Sequence, residues 1–178
     1  MRRQELLFGL CLYAVLLTVA LTYWQGLQGS WLMDDMSNLG ALSLLDSADI
    51  GWQDIITSNR SGLLGRPVSV LSFVVDYQAG GLSPERFKYT NLLLHLLTVF
   101  FAMKLLARMG IGNWGSFVGG LLFGIHPMRV ESVAWATERK DVLSTFLGLA
   151  ALLAWTSFAR GGSRGAYVAS IALFAASL

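Results

Sequence analysis

A single cysteine, Cys11, excludes a disulfide framework and a cysteine-ligated zinc site, and leaves the redox compartment undetermined. The two histidines, His95 and His126, lack metal-motif spacing, and no glycine-rich phosphate loop of the Walker or dinucleotide type is present. Without a long basic block or a basic patch interleaved with aromatics, nucleic acid is excluded as a partner. Charge itself is short: 13% of the 178 residues are Asp, Glu, Lys or Arg against 54% hydrophobic, and mean hydropathy is +0.57. That balance is too apolar for a soluble domain and describes an integral membrane protein in contact with membrane lipids.

Long apolar runs account for the imbalance. Behind Met1-Arg-Arg3, the run 6–24 matches the ~20 residues needed to cross the hydrocarbon. It predicts a retained first span rather than a cleaved signal, because Thr22-Tyr-Trp-Gln-Gly-Leu-Gln28 offers no clear small-x-small site. Further spans are expected over 89–108, 111–126, 142–158 and 166–178, giving about five in an all-α polytopic membrane protein that forms part of one transmembrane unit over 1–178. Ser116, Gly120 and Gly124 recur every four residues in the third span and predict close helix packing. The chain stops at Leu178 inside an apolar segment, which reads as truncation.

Two loops, 25–88 and 127–141, hold most of the charge. In the first, Asp49 to Ile56 predicts a short interfacial helix. Val68 to Tyr77, with Ser69, Ser72 and Asp76 on one face, predicts an amphipathic helix lying at the membrane surface. Orientation follows from the basic residues: with a cytoplasmic N terminus, the cytoplasmic segments hold Arg2, Arg3, Lys104, Arg108, Arg160 and Arg164 against one acid, Glu5. Both long loops then lie on the extracytoplasmic face.

Asp34-Asp35, in Trp31-Leu-Met-Asp-Asp-Met-Ser-Asn38, stands about ten residues past the first span, where membrane meets water. Such a pair suits proton abstraction from an acceptor, coordination of a divalent metal, or plain solvation at a helix start. Asn91, His95 and Thr98 form a polar stripe in the second span, which suits either interhelical hydrogen bonding or a site. The second loop, His126-Pro-Met-Arg-Val-Glu-Ser-Val-Ala-Trp-Ala-Thr-Glu-Arg-Lys-Asp141, packs seven ionisable residues into a short connection. Helical after Pro127, it would bring Glu131, Trp135, Glu138 and Arg139 roughly to one side, with Arg129 and Lys140 flanking; the plainer alternative is a solvated charged turn. Carboxylates and cations on one side of a membrane suit group transfer from a phosphorylated carrier, in which a carboxylate takes a proton and Arg or Lys stabilises the departing phosphate.

Gly65-Arg-Pro-Val-Ser-Val-Leu-Ser-Phe73, Tyr89-Thr-Asn-Leu-Leu-Leu-His95, His126-Pro-Met-Arg-Val-Glu-Ser-Val-Ala-Trp135 and Glu138-Arg-Lys-Asp-Val-Leu143 together carry a resemblance. The chain resembles the N-terminal membrane region of polytopic C-type glycosyltransferases, in particular the transmembrane and tetratricopeptide-repeat O-mannosyltransferases and their bacterial counterparts. The resemblance implies an enzyme of the endoplasmic reticulum or bacterial inner membrane that uses a polyprenyl- or dolichyl-phosphate sugar, with mannose as one candidate. The acceptor would be a protein or glycan hydroxyl; a divalent metal at Asp34 and Asp35 is left open by the residues, and the lipid-phosphate sugar is a donor substrate rather than a cofactor. It also implies that Asp34 and Asp35, taken as a pair, supply the general base of an inverting transfer. Arg66, His126, Arg129, Glu131, Arg139, Lys140 and Asp141 match its blocks and, with His95, are the expected donor-phosphate or substrate contacts. Two rival readings are a non-enzymatic membrane scaffold carrying a C-terminal repeat domain, and a transporter or flippase fragment.

Overall fold

The computed structural model describes residues 2–47, 49–58 and 66–178, and every regular element among them is helical. The helices are α1 (Arg2–Leu27), α2 (Asp35–Leu39), α3 (Trp52–Ser58), α4 (Pro67–Gly80), α5 (Pro84–Arg108), α6 (Gly112–Gly124), α7 (Arg129–Ala134), α8 (Arg139–Ala159) and α9 (Arg164–Ser177), with a 3₁₀ segment over Gly40–Asp46. Three are long and apolar enough to cross a membrane: Leu6–Leu27 within α1, then α5 and α8. Helices α6 and α9, at 13 and 14 residues, rise only about 20 Å. The protein is therefore an all-α integral membrane protein with three helices of spanning length among the described residues.

The long helices are apolar almost all round, and only narrow stripes face protein. Val15, Val19, Tyr23 and Leu27, four apart, are buried on α1, while Leu10, Leu17, Leu21 and Trp24 lie outward. Since lipid tails are as apolar as leucine, such helices associate through close packing and polar contacts rather than by escaping water. Gly120 and Gly124 supply the close approach. A Cβ on Gly124 would meet Val19 Cγ2 at 2.6 Å and Val99 Cγ2 at 3.1 Å; on Gly120 it would meet Met103 Cγ at 2.2 Å. The small-residue stripe is thus the surface on which α1 and α5 seat α6.

The first loop folds into a second apolar cluster of Leu39, Leu42, Ile55, Val70, Phe73, Val74, Tyr77, Phe87 and Ala136. It rests on the ends of α5 and α8. Within it, Asp46 accepts the Tyr77 hydroxyl proton at 2.7 Å, a bond that holds the phenol above its usual pKa. Helix α3 forms where the short interfacial helix is expected. Helix α4 differs from a surface helix with a solvated polar stripe: Ser69 and Asp76 are buried, whereas Leu71 and Val75 point outward. The reason is a buried cation, Arg139, toward which the polar face of α4 turns.

Candidate functional site

Arg139 opens α8 with its side chain wholly buried (0% exposed). Its five N–H groups all have acceptors. Nε donates to Asn91 Oδ1 at 2.8 Å, and Nη1 donates to the Ser72 carbonyl at 3.0 Å and the Ser72 hydroxyl at 3.4 Å. Nη2 donates to the Phe87 carbonyl at 2.8 Å and pairs with Asp76 Oδ2. The guanidinium also lies over Phe73 and Phe87, 4.7 and 5.3 Å from the ring centroids. A planar five-donor fork is the side chain best suited to such a socket. With its donors spent, Arg139 joins α4, α5 and α8 and has none to offer a phosphate.

The segment before α8 is not a continuation of α7. Helix α7 stops at Ala134, Trp135 is extended (φ −101°, ψ 121°), and α8 begins four residues later at Arg139. Side chains from elsewhere satisfy the broken turn. Asn91 Nδ2 donates to the Trp135 carbonyl at 2.9 Å and the Ala136 carbonyl at 3.4 Å, and Asp35 Oδ1 accepts the Thr137 backbone N–H at 2.9 Å. The expected single face of Glu131, Trp135, Glu138 and Arg139 does not form, because exposed Glu131 and buried Arg139 belong to different helices.

The acidic pair divides in the same way. Asp35 is wholly buried (0% exposed) and Asp34 is exposed. Asp35 Oδ2 accepts the Leu32 N–H at 2.9 Å, while Oδ1 accepts both the backbone N–H and the hydroxyl of Thr137, the latter at 3.0 Å. Asp34 Oδ2 accepts Asn38 Nδ2 at 2.7 Å, and its Oδ1 lies 3.4 Å from the Thr137 hydroxyl oxygen. Upstream, the buried Lys88 ammonium donates to the Gly29 and Ser30 carbonyls, each at 2.9 Å, and so fixes the chain as it leaves α1 toward the pair. Met33, directly before Asp34, has φ 36° and is 91% exposed. A left-handed non-glycine residue costs about 1–2 kcal/mol. Such a turn persists when its surroundings over-determine it, here through Lys88 and Asp35.

Beside Thr137, Glu138 lines an open cleft of about 660 Å³ shared with His126, Arg129, Glu131 and Asp141, and with Phe123 at its apolar side. His126 is exposed and accepts the Met128 N–H on Nδ1 at 3.3 Å, which puts the neutral ring's proton on Nε2. The Arg129 guanidinium lies 4.8 Å from the Phe123 ring centroid. Asp141 also borders a smaller cavity of about 100 Å³ with Arg66 and Lys140. Arg66 approaches Asp141 at 3.9 Å, and Lys140 pairs with Glu138 at 2.9 Å. Arg66 (φ 41°) and Met33 are the non-glycine residues with positive φ among those described.

His95 lies away from this surface. Its Nε2 donates to the Gly124 carbonyl at 2.9 Å, the acceptor that Tyr23 Oη also reaches at 2.9 Å. That carbonyl ends α6 just before Pro127, and the Met128 N–H that would continue the helix ladder is turned onto His126 instead. Among the described residues no group of three or more His, Cys, Asp or Glu side chains is arranged to hold a metal ion. Asp35 Oδ1 takes two donors and Oδ2 a third inside the fold, so Asp35 is not arranged to clasp a divalent cation as a bidentate carboxylate.

Two residues of this arrangement escaped the sequence reading. Lys88 had a signal, an ammonium one turn inside an apolar helix. Thr137 had none beyond its place next to Glu138-Arg-Lys-Asp141.

Human protein O-mannosyl-transferase TMTC1 is 28% identical over 170 residues, 86% of this chain and 19% of its own length. Human protein O-mannosyl-transferase TMTC3 is 27% identical over 151 residues, 78% of this chain and 16% of its own. Mouse protein O-mannosyl-transferase TMTC2 is 35% identical over 105 residues, 58% of this chain and 12% of its own. The homologues of this chain are protein O-mannosyl-transferases. The chain spans less than a fifth of the length of these O-mannosyl-transferase relatives. No protein-family model matches it, and no solved structure does.

Proposed function

We propose that this chain carries the base-bearing part of a membrane glycosyltransferase that moves a sugar, with mannose as the leading candidate, from a polyprenyl- or dolichyl-phosphate carrier to a hydroxyl of a protein or glycan. The observation that carries the reading is the exposed Asp34 carboxylate, held by Asn38 beside a buried twin and adjoining the His126 to Asp141 loop. The names of the homologous O-mannosyl-transferases support the class of reaction.

In this reading Asp34 takes the proton of the acceptor hydroxyl as its oxygen attacks the anomeric carbon. The bond from that carbon to the phosphate oxygen breaks, and the electron pair leaves on the phosphate. Arg129 at the cleft, with Arg66 and Lys140 around Asp141, are the cations placed to offset that charge. His126 offers an N–H to the same cleft. Arg139 and His95 serve the site by holding its walls. The end of the bundle that bears Lys104, Arg108, Arg160 and Arg164 has no acid among those loop residues, and the positive-inside tendency supports a reading with the Asp34 end on the extracytoplasmic or luminal face of the endoplasmic reticulum or bacterial inner membrane.

The test is transfer of radiolabelled mannose from dolichyl-phosphate mannose to a Ser/Thr-rich peptide by the full-length protein in membranes. Transfer that Asp34→Asn lowers by about 10²–10⁴-fold is expected of a general base. No transfer and no donor binding, or full activity of Asp34→Asn, would overturn it.

A further inference from the structure

Thr137 is the point at which the two loops and the two carboxylates meet, and its hydroxyl has one proton and two lone pairs to distribute. The nearer oxygen is Asp35 Oδ1 at 3.0 Å; Asp34 Oδ1 is at 3.4 Å. With its proton on the nearer acceptor, the Thr137 oxygen turns a lone pair toward Asp34 Oδ1. Facing an ionised carboxylate, that lone pair gives nothing; facing a protonated one, it accepts a hydrogen bond. Asp34 Oδ2 is engaged by Asn38, and Oδ1 is the oxygen that faces Thr137.

We infer that Thr137 is a positioning residue that favours the proton-bearing form of Asp34, its hydroxyl accepting a hydrogen bond from Asp34 Oδ1 after the acceptor's proton has arrived there, while it stays anchored to Asp35. This rests on the reading of Asp34 as the base. The balance is simple: the acceptor oxygen loses H⁺ to Asp34 Oδ1 and forms the new bond to the anomeric carbon. The phosphate oxygen keeps the electron pair of the bond that breaks. The proton on Asp34 is shared toward Thr137 until water removes it. The anchor does not depend on the hydroxyl alone, because the Thr137 backbone N–H also reaches Asp35 Oδ1 at 2.9 Å. Removing the hydroxyl therefore separates the chemistry from the fold.

The experiment compares Thr137→Val, Thr137→Ser and Asp34→Asn in the full-length protein, with dolichyl-phosphate mannose as donor, reading kcat, donor KM and Tm. Thr137→Val is expected to lower kcat about threefold to tenfold, the worth of one hydrogen bond between neutral groups. Donor KM should stay within about twofold, as for an interaction made only during the reaction. Thr137→Ser should restore most of the loss. Where the valine variant does not accumulate, Thr137→Ala replaces it. Wild-type kcat in Thr137→Val alongside an inactive Asp34→Asn overturns the inference and leaves the base intact. A parallel loss of Tm, kcat and KM that serine does not rescue also overturns it, in favour of a purely structural threonine. Full activity of Asp34→Asn removes the base itself.

Discussion

Two pairs of neighbours in this chain, Asp34-Asp35 and Arg139-Lys140, carry like charges and different fates. Asp35 and Arg139 are fully buried with their polar atoms engaged, whereas Asp34 is exposed and Lys140 is partly exposed and pairs with Glu138. A charge taken out of water persists only when its partners are complete, so the buried members hold the fold together. The surface members keep unspent capacity, and in the proposed reading they are the ones that meet the substrate. The lesson is that an acidic or basic doublet at the edge of a membrane need not act as a doublet: one residue is built into the fold and the other is left toward the surface.

The comparison breaks most visibly at Arg139. Arg139→Leu strands Asp76 and the Phe87 and Ser72 carbonyls, and a loss of about 3–5 kcal/mol is expected from removing one partner of a buried pair. It should appear as loss of folded protein in detergent, read by thermal unfolding, and Arg139→Lys should recover little because one ammonium cannot serve five acceptors. Next comes Lys88→Met, which leaves the Gly29 and Ser30 carbonyls without their ammonium at a cost of about 1–3 kcal/mol. A lower Tm together with faster proteolysis between α1 and α2 is the expected signature. Smallest is Lys140→Ala, whose half-exposed pair with Glu138 should be worth at most about 1 kcal/mol. Its Tm should stay close to wild type, so a drop as large as that of Arg139→Leu would erase the distinction between the two neighbours.

Much of the frame is legible in the sequence. The three longest apolar runs are the three spanning helices, and the four-residue recurrence of Ser116, Gly120 and Gly124 is the tight seat of α6. Period and composition report these because they are local properties. The division of Asp34 from Asp35 is not local. It depends on Thr137, 102 positions beyond Asp35, and on which side of one turn faces that partner. The inward polar face of α4 was likewise hidden, since Ser72 and Asp76 look equally suited to water until Arg139 is known to lie opposite. The break after α7 depends on Asn91, whose helical spacing from His95 gave the stripe but not its partners.

The central claim is that the acidic pair divides its labour, and the most direct measurement is activity and Tm on the same preparations of Asp34→Asn and Asp35→Asn. Asp34→Asn should unfold within about 0.5 kcal/mol of wild type, as an exposed change does, yet lose transfer. Asp35→Asn should unfold earlier, by about 1–3 kcal/mol, because an amide in its place turns a donor toward the Thr137 or Leu32 N–H. The reverse pattern, with Asp34→Asn fully active and Asp35→Asn stable but inactive, would contradict the account.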